Sequence, residues 1–179
     1  HIYSKLFNEY GQVTSQVLLT KDVLDNGERV GNATNTLEML FKYKSIPIVN
    51  ENDTISTEQI EFGDNDTLSS MVATLVKADL LILLSDIDGL YDKDPRGNSD
   101  VKLIAEVHGI TDEIMDMCGN TDSLVGTGGM KTKIEAARIC LDAGIPMIIA
   151  NGDNPENINK LLAGKKIGTI FVPNNKEVL

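Results

Sequence analysis

The stretch that decides the fold runs from Ile46 to Asp53 and reads IPIVNEND. Its apolar first half is typical of a buried strand, and polar and acidic residues follow that half directly. A second acidic stretch, FGDNDTLS at 62–69, leads into a segment with helical spacing of apolar residues. Because α/β proteins bind ligands at the carboxyl ends of their strands, the sequence predicts a ligand-binding loop between this strand and this helix.

We call residues 50–66 the acidic double loop. It holds six carboxylates, and no Lys or Arg occurs between Ser45 and Val76. Like charges at this density repel unless a cation or a ligand's ammonium group lies among them. A solvated acidic surface is the alternative interpretation. The interleaved Asn residues favour a pocket for a small polar substrate, because amides both donate and accept hydrogen bonds. The carboxylates are Glu51, Asp53, Glu58, Glu61, Asp64 and Asp66.

Composition sets the broad class. The chain has 179 residues, of which 41% are hydrophobic and 24% charged, as is typical of a soluble globular domain. The net charge of −11 argues against general nucleic-acid binding and against anionic membranes, so any phosphate must be held by local donors or by a metal. We expect no signal peptide, and no apolar stretch approaches membrane-spanning length. Cys118 and Cys140 are far apart, which favours a reduced, cytoplasmic protein without a zinc site.

Strand-like runs alternate with helix-like segments along the whole chain. This alternation predicts one α/β domain over residues 1–179, a three-layer sandwich with a mainly parallel sheet. Residues 80–84 form a continuous apolar run and are predicted to be the most buried strand. The predicted strands are 13–19, 46–49, 80–84, 145–150 and 167–172, and the predicted helices are 34–44 (with Leu37, Leu40 and Phe41 on one face), 66–77, 111–117, 130–143 and 155–162.

Two further segments are candidate ligand contacts. Ser85 and Asp86 follow the strand at 80–84 and open a long loop to Val101, although a plain Asx-turn would look similar. The segment 126–133 reads GTGGMKTK and precedes a helix. Exposed backbone N–H groups, the helix start and Lys131 with Lys133 suit a triphosphate. The segment matches neither the Walker nor the Rossmann pattern, and a flexible turn before a helix remains an alternative.

Together these segments resemble the amino acid kinase family, and within it the branch that phosphorylates glutamate. The resemblance covers almost the whole chain in the family's order. It implies transfer of the γ-phosphoryl group of ATP, with Mg²⁺, to the γ-carboxylate of L-glutamate, which opens proline biosynthesis. It also implies a homo-oligomer and feedback inhibition by proline. The matching segments are 16–20, Arg29 with 32–36, 47–53, 62–69, 78–95 and 126–133.

The resemblance also implies roles for individual residues. Asp53 would bind the substrate ammonium and Asn65 a substrate carboxylate, with Asn50 and Asp64 beside them. Asp66 and Lys133 would be catalytic, and no general base is needed because a carboxylate nucleophile is already ionised at neutral pH. The ATP contacts would be Ser85, Asp86, Thr127, Gly128, Gly129, Met130, Lys131, Thr132 and Lys133.

The chain also departs from the family pattern. The family's first strand, its glycine-rich turn with a lysine, and a second glycine- and serine-rich turn have no counterpart here. We therefore expect this chain to be part of a longer protein and, alone, to bind glutamate weakly and lack kinase activity. Some relatives carry an additional C-terminal RNA-binding-like (PUA) domain, and the sequence up to Leu179 does not reach that region.

Two alternatives stay open. The first is a kinase for aspartate, acetylglutamate, carbamate or uridylate. Acetylglutamate and uridylate have no free ammonium, so the acidic double loop would be costly beside them. The second is a non-catalytic domain that senses an amino acid, which would have no use for Lys133, Asp66 and the glycine-rich segment.

Overall fold

The computed structural model describes residues 2–24, 26–52, 65–93, 98, 100–112, 114–115 and 127–174. Contacts group the chain into two compact units, which we call unit 1 (His1–Val76) and unit 2 (Lys77–Leu179). Each unit is described by itself below, and a single domain over residues 1–179 stays a prediction. No helix in the described part of the chain is long and apolar enough to cross a membrane.

Unit 1 contains a parallel pair of strands with helices. The strands pair from Val13 with Ser45 to Leu19 with Glu51. Buried Leu37 and Leu75 form a hydrophobic core beneath them with Val23 and Ala33. The elements are α1 (Ile2–Asn8), β1 (Val13–Leu19), a 3₁₀ turn (Lys21–Leu24), α2 (Gly27–Lys42), β2 (Ser45–Glu51) and α3 (Asn65–Leu75).

Helix α2 begins seven residues before the predicted start at Thr34. The side chain of Asn26 caps it by accepting a hydrogen bond from the backbone N–H of Glu28 at 2.8 Å. Ala33 and Leu37 are buried at helical spacing, as predicted for Leu37. Phe41 follows Leu37 by four residues on the same face of α2, but its side chain is 49% exposed.

Unit 2 is built on a four-stranded sheet in the order β3-β5-β6-β4. β3 runs parallel to β5 and β4 parallel to β6, while β5 and β6 are antiparallel. The predicted α/β fold with mainly parallel strands is therefore confirmed. The elements are β3 (Leu81–Ser85), β4 (Glu106–His108), α4 (Thr127–Asp142), β5 (Met147–Asn151), α5 (Glu156–Leu162) and β6 (Thr169–Val172).

The most buried strand of unit 2 is β5 rather than β3. Met147 to Ala150 are all buried in β5, whereas only Leu83 is buried in β3 and Leu84 is 44% exposed. The reason is position, because β3 lies at one edge of the four-stranded sheet and β5 lies inside it. The prediction that the run 80–84 is the most buried strand was therefore wrong.

Candidate functional site

In unit 1, the structure describes the two ends of the acidic double loop. The loop leaves β2 at Glu51, where the backbone N–H of Asn52 donates to the carbonyl of Leu19 at 2.8 Å. Asn50 lies near the end of β2, opposite Leu18, and is exposed. The predicted substrate residues Asp53 and Asp64 lie outside the described residues.

The loop returns to the described chain at the first turn of α3. Asn65 is exposed there, Asp66 is half-buried, and the Ser69 hydroxyl donates to the Asn65 carbonyl at 2.6 Å. A carboxylate in this turn is stabilised by the partial positive charge of the helix start. α3 contacts β2, and Asn65 and Asp66 are its first two residues. This placement suits the recognition of a small polar ligand.

In unit 2, Ser85 and Asp86 lie where β3 ends. The Ser85 hydroxyl donates to Oδ1 of Asp86 at 2.9 Å. Ser85 also pairs in register with Asn151 of β5, and its carbonyl accepts the backbone N–H of Gly152 at 2.7 Å. The ends of the two parallel strands are therefore joined directly beside the two predicted nucleotide contacts.

A second junction lies three residues later, at Asp88. Its Oδ1 accepts a hydrogen bond from Nδ2 of Asn151 at 3.0 Å, and its Oδ2 accepts one from the Tyr91 hydroxyl at 2.9 Å. The bond from Tyr91 to Asp88 raises the pKa of the tyrosine above its usual value. Neither Asp88 nor Asn151 is among the residues predicted from the sequence to contact a ligand. Asn151 could have been found by its position, because it ends a strand at the same edge as Ser85.

The same loop is fastened to β6 farther along. The buried hydroxyl of Thr169 accepts the backbone N–H of Leu90 at 2.8 Å and donates to the carbonyl of Ile104 at 2.6 Å. Gly89 is required beside it, since a Cβ there would lie 2.5 Å from the Thr169 hydroxyl oxygen. The loop from Asp86 is thus not a simple Asx-turn, because long-range bonds anchor it at two places.

The glycine-rich segment belongs to a helix rather than to a turn before one. α4 begins at Thr127, three residues before the predicted start, so Gly128 and Gly129 lie in its first turn. The first four N–H groups of a helix have no partner within it and attract anions. Lys131 is exposed, Met130 and Lys133 are half-buried, and the Thr132 hydroxyl donates to the Gly129 carbonyl at 2.9 Å.

Topology places the start of α4 at the same end of unit 2 as Ser85. α4 contacts β5 and joins it through the short turn at 143–146, so helix and strand run in opposite directions. The start of α4 therefore lies toward the carboxyl end of β5, which is also the end of β3. This edge combines backbone donors, two lysines and hydroxyl groups, and such a set can bind phosphate.

A cavity of about 610 Å³ lies at the opposite end of the sheet. His108 and Asn174 line it at the ends of β4 and β6, and Asp142 lines it at the end of α4. Because β6 is antiparallel to β5, this end is the one away from Ser85. None of the residues predicted to contact a ligand lines this cavity.

No metal-binding cluster is found among the described residues. No group of three or more His, Cys, Asp or Glu side chains suitable for a metal ion occurs among them. Cys140 is a free thiol inside α4, and burial raises its pKa to about 11. A thiol in this environment is a core residue and not a nucleophile.

Solved structures with the same fold include UMP kinases and isopentenyl phosphate kinases. The chain superimposes on UMP kinase from Bacillus anthracis with a TM-score of 0.63 at 14% identity, covering 99% of this chain and 67% of that one. It matches isopentenyl phosphate kinase from T. acidophilum with a TM-score of 0.60 at 19% identity, covering 93% of this chain and 63% of that one. Similarity at these identities establishes the fold alone.

Sequence relatives are much more similar. The chain is 53% identical to glutamate 5-kinase of Clostridium perfringens over 99% of its own length and 67% of the relative. It is 50% identical to glutamate 5-kinase of Thermoanaerobacter sp. over 99% of its own length, but spans only 48% of that relative. The model of the amino acid kinase family matches residues 1–151. On this match and these identities, the chain belongs to the amino acid kinase family.

Proposed function

We propose that the protein containing this chain phosphorylates the γ-carboxylate of L-glutamate with ATP, forming γ-glutamyl phosphate in the first step of proline biosynthesis. The observation that carries the proposal is the identity of at least 50% to glutamate 5-kinases across 99% of the chain. Such identity favours the same substrate over aspartate, acetylglutamate, carbamate or uridylate, and an enzyme over an amino-acid sensor.

The substrate half of the proposal assigns glutamate to the acidic double loop. Asp53 binds the ammonium group and Asn65 a carboxylate, and Asn50 and Asp64 are further substrate contacts. An ammonium group taken out of water needs an anionic partner, which accounts for the carboxylates of this loop. Support comes from the described ends of the loop, where Asn50 and Asn65 are both exposed.

The nucleotide half assigns ATP to the edge of unit 2 formed by Ser85, Asp86 and the start of α4. The backbone N–H groups of residues 127–130 hold phosphate oxygens, and Lys133 neutralises charge that develops on the transferred phosphoryl group. Mg²⁺ is the expected cofactor. Mg²⁺ usually takes one or two carboxylates together with nucleotide phosphates. The family resemblance gives Asp66 the role of an acid that organises catalytic lysines and magnesium.

Chemistry under this proposal consists of positioning and charge neutralisation. The γ-carboxylate is ionised at neutral pH and attacks phosphorus without losing a proton. Bond formation to phosphorus accompanies loss of ADP, and the negative charge is spread over the phosphoryl oxygens near Lys133 and the start of α4. We further propose a cytoplasmic homo-oligomer inhibited by proline, as the family resemblance implies.

Calorimetric titration of the full-length protein tests the proposal. Glutamate and ATP–Mg²⁺ should both bind, and aspartate should bind more weakly. Glutarate, which is glutamate without its amino group, should bind at least tenfold more weakly if the acidic double loop recognises ammonium. Binding of glutamate without any binding of ATP would contradict the kinase and favour a sensor. Glutamate-dependent release of ADP then measures the reaction itself.

A further inference from the structure

Asp88 occupies an unusual place at the predicted nucleotide edge. It belongs to the loop after β3, yet its Oδ1 is bonded to Asn151 at the end of β5, 63 residues away in sequence. Its other oxygen holds the Tyr91 hydroxyl of its own loop. One exposed carboxylate therefore connects the loop after β3 to the carboxyl end of the neighbouring parallel strand, β5.

This connection is the second of two hydrogen bonds that hold the chain on either side of Asp86. The first is the bond from the backbone N–H of Gly152 to the carbonyl of Ser85, at 2.7 Å. The second is the bond from Asn151 to Asp88, at 3.0 Å. Asp86 lies between these two bonds, so the chain on one side of it is held through the Ser85 carbonyl and on the other side through the Asp88 side chain.

Beyond Asp88 the chain is also held. Gly89 packs against Thr169, and the N–H of Leu90 donates to the Thr169 hydroxyl. The segment between Ser85 and Leu90 is thus fixed at both ends, and Asp88 is the side chain that fastens its middle. Loss of this carboxylate would leave the backbone ends in place and release the residues between them.

We infer that Asp88 is a positioning residue for nucleotide binding, which fastens the loop after β3 to the end of β5 and so holds Ser85 and Asp86 in their binding geometry. The inference rests on the proposed function, because it assumes that Ser85 and Asp86 contact ATP. Its action is through hydrogen bonds and requires no contact between Asp88 and the nucleotide.

Two substitutions separate this role from a role of the charge itself. Asp88→Ala removes both hydrogen bonds. Asp88→Asn keeps an oxygen for Asn151 and offers an NH₂ group that the Tyr91 hydroxyl can accept, so both connections survive without the charge. The matched control is Asp92→Ala. The Asp92 carboxylate lies in the same loop and accepts the N–H of Lys102 at 2.8 Å, with no bond to β5.

Steady-state kinetics of the full-length protein give the first readout. Asp88→Ala should raise the KM for ATP about fivefold, as expected for one exposed hydrogen-bonded junction, and leave the KM for glutamate within twofold. Asp88→Asn and Asp92→Ala should both stay within twofold of the wild type. Equal losses in Asp88→Ala and Asp88→Asn would overturn the inference and indicate that the charge, for example as a metal ligand, is what matters. Equal rises in both KM values would overturn it in favour of a general structural role.

Hydrogen–deuterium exchange without nucleotide gives the second readout. Peptides covering residues 85–91 should exchange faster in Asp88→Ala than in the wild type and Asp88→Asn. Unchanged exchange in Asp88→Ala would overturn the inference even if the enzyme is a kinase. By contrast, failure of the wild type to bind ATP would refute the proposed function while the exchange result still reports on the junction.

Discussion

The carboxyl end of β2 in unit 1 differs in composition and hydrogen bonding from the carboxyl ends of β3 and β5 in unit 2. The end of β2 opens into a loop dense in carboxylates, which is visible in the sequence as local composition. The ends of β3 and β5 are instead joined to each other, by the bonds of Gly152 to Ser85 and Asn151 to Asp88. Under the proposed function, the first region would bind its ligand through charge and the second through a fixed backbone geometry.

The difference teaches which kind of ligand each arrangement suits. An ammonium group is a point charge, so a set of carboxylates can hold it in several geometries. A triphosphate needs several donors in a defined order, and backbone N–H groups provide that order only if the backbone is held still. We therefore expect substitutions in unit 1 to act through charge, and substitutions in unit 2 to act through geometry.

The largest expected effect tests the one place in unit 2 where charge should dominate. Lys133→Ala should lower kcat by roughly a hundredfold to a thousandfold, because a group that neutralises developing charge is lost. Alanine suits the interior of α4, so folding should be retained. Steady-state kinetics with ATP and glutamate measure the effect, and Lys165→Ala, at an exposed lysine, serves as the control. An unchanged kcat would remove Lys133 from the phosphate-binding role.

The second prediction concerns the charge of the acidic double loop. Asp53→Ala should raise the KM for glutamate on the order of a hundredfold and the KM for ATP far less, because the partner of a desolvated ammonium is lost. Glu58→Ala is the matched control, since it removes a carboxylate of the same loop that has no assigned ligand. An equal rise in both KM values would identify Asp53 as structural.

The third prediction tests the close packing that holds the loop of unit 2. Gly89→Ala should lower the free energy of unfolding by about 3 kcal/mol, because its Cβ would lie 2.5 Å from the Thr169 hydroxyl oxygen and 3.0 Å from the Thr169 nitrogen. Gly31→Ala in α2 has open space around it and should raise stability by roughly 0.5–1 kcal/mol. Urea denaturation of both variants provides the comparison. The same sign of change in both would contradict the steric argument.

The smallest expected effect concerns the Thr169 hydroxyl. Thr169→Val keeps the shape but leaves the Leu90 N–H and the Ile104 carbonyl without this partner, at a cost of about 2 kcal/mol. Thr169→Ser keeps the hydroxyl and should lose about 1 kcal/mol through the missing methyl group. Denaturation midpoints rank the two variants. A valine variant more stable than the serine variant would show that packing, not hydrogen bonding, holds the loop.

Much of the fold could be predicted because apolar periodicity reflects burial. The ends of β1, α3 and α5 were predicted to within two residues. The α/β class was also predicted correctly. Short or weakly apolar elements could not be found this way. β4 has three residues with only Val107 buried, and α1 has no buried residue at all, so neither leaves a periodic pattern.

The candidate site was predictable only where its chemistry is local. The clusters of acids and the glycine-lysine segment stand out in composition, and they led to the family. The incorrect and missed predictions depended on tertiary contacts, which a local sequence pattern does not contain. The run 80–84 is apolar, yet β3 lies at a sheet edge, and the bond between Asp88 and Asn151 joins residues from distant parts of the chain.

The sheet order of unit 2 also has a consequence for folding. Leu81 pairs with Met147, 66 residues later, whereas Val13 pairs with Ser45 only 32 residues later in unit 1. Long-range pairing slows folding because loop closure is unfavourable before the contacts form. The nearest strands in unit 2, β5 and β6, are joined through α5 and should pair first. We expect the edge strand β3, and with it the proposed nucleotide-binding edge, to be among the last parts of the chain to become ordered.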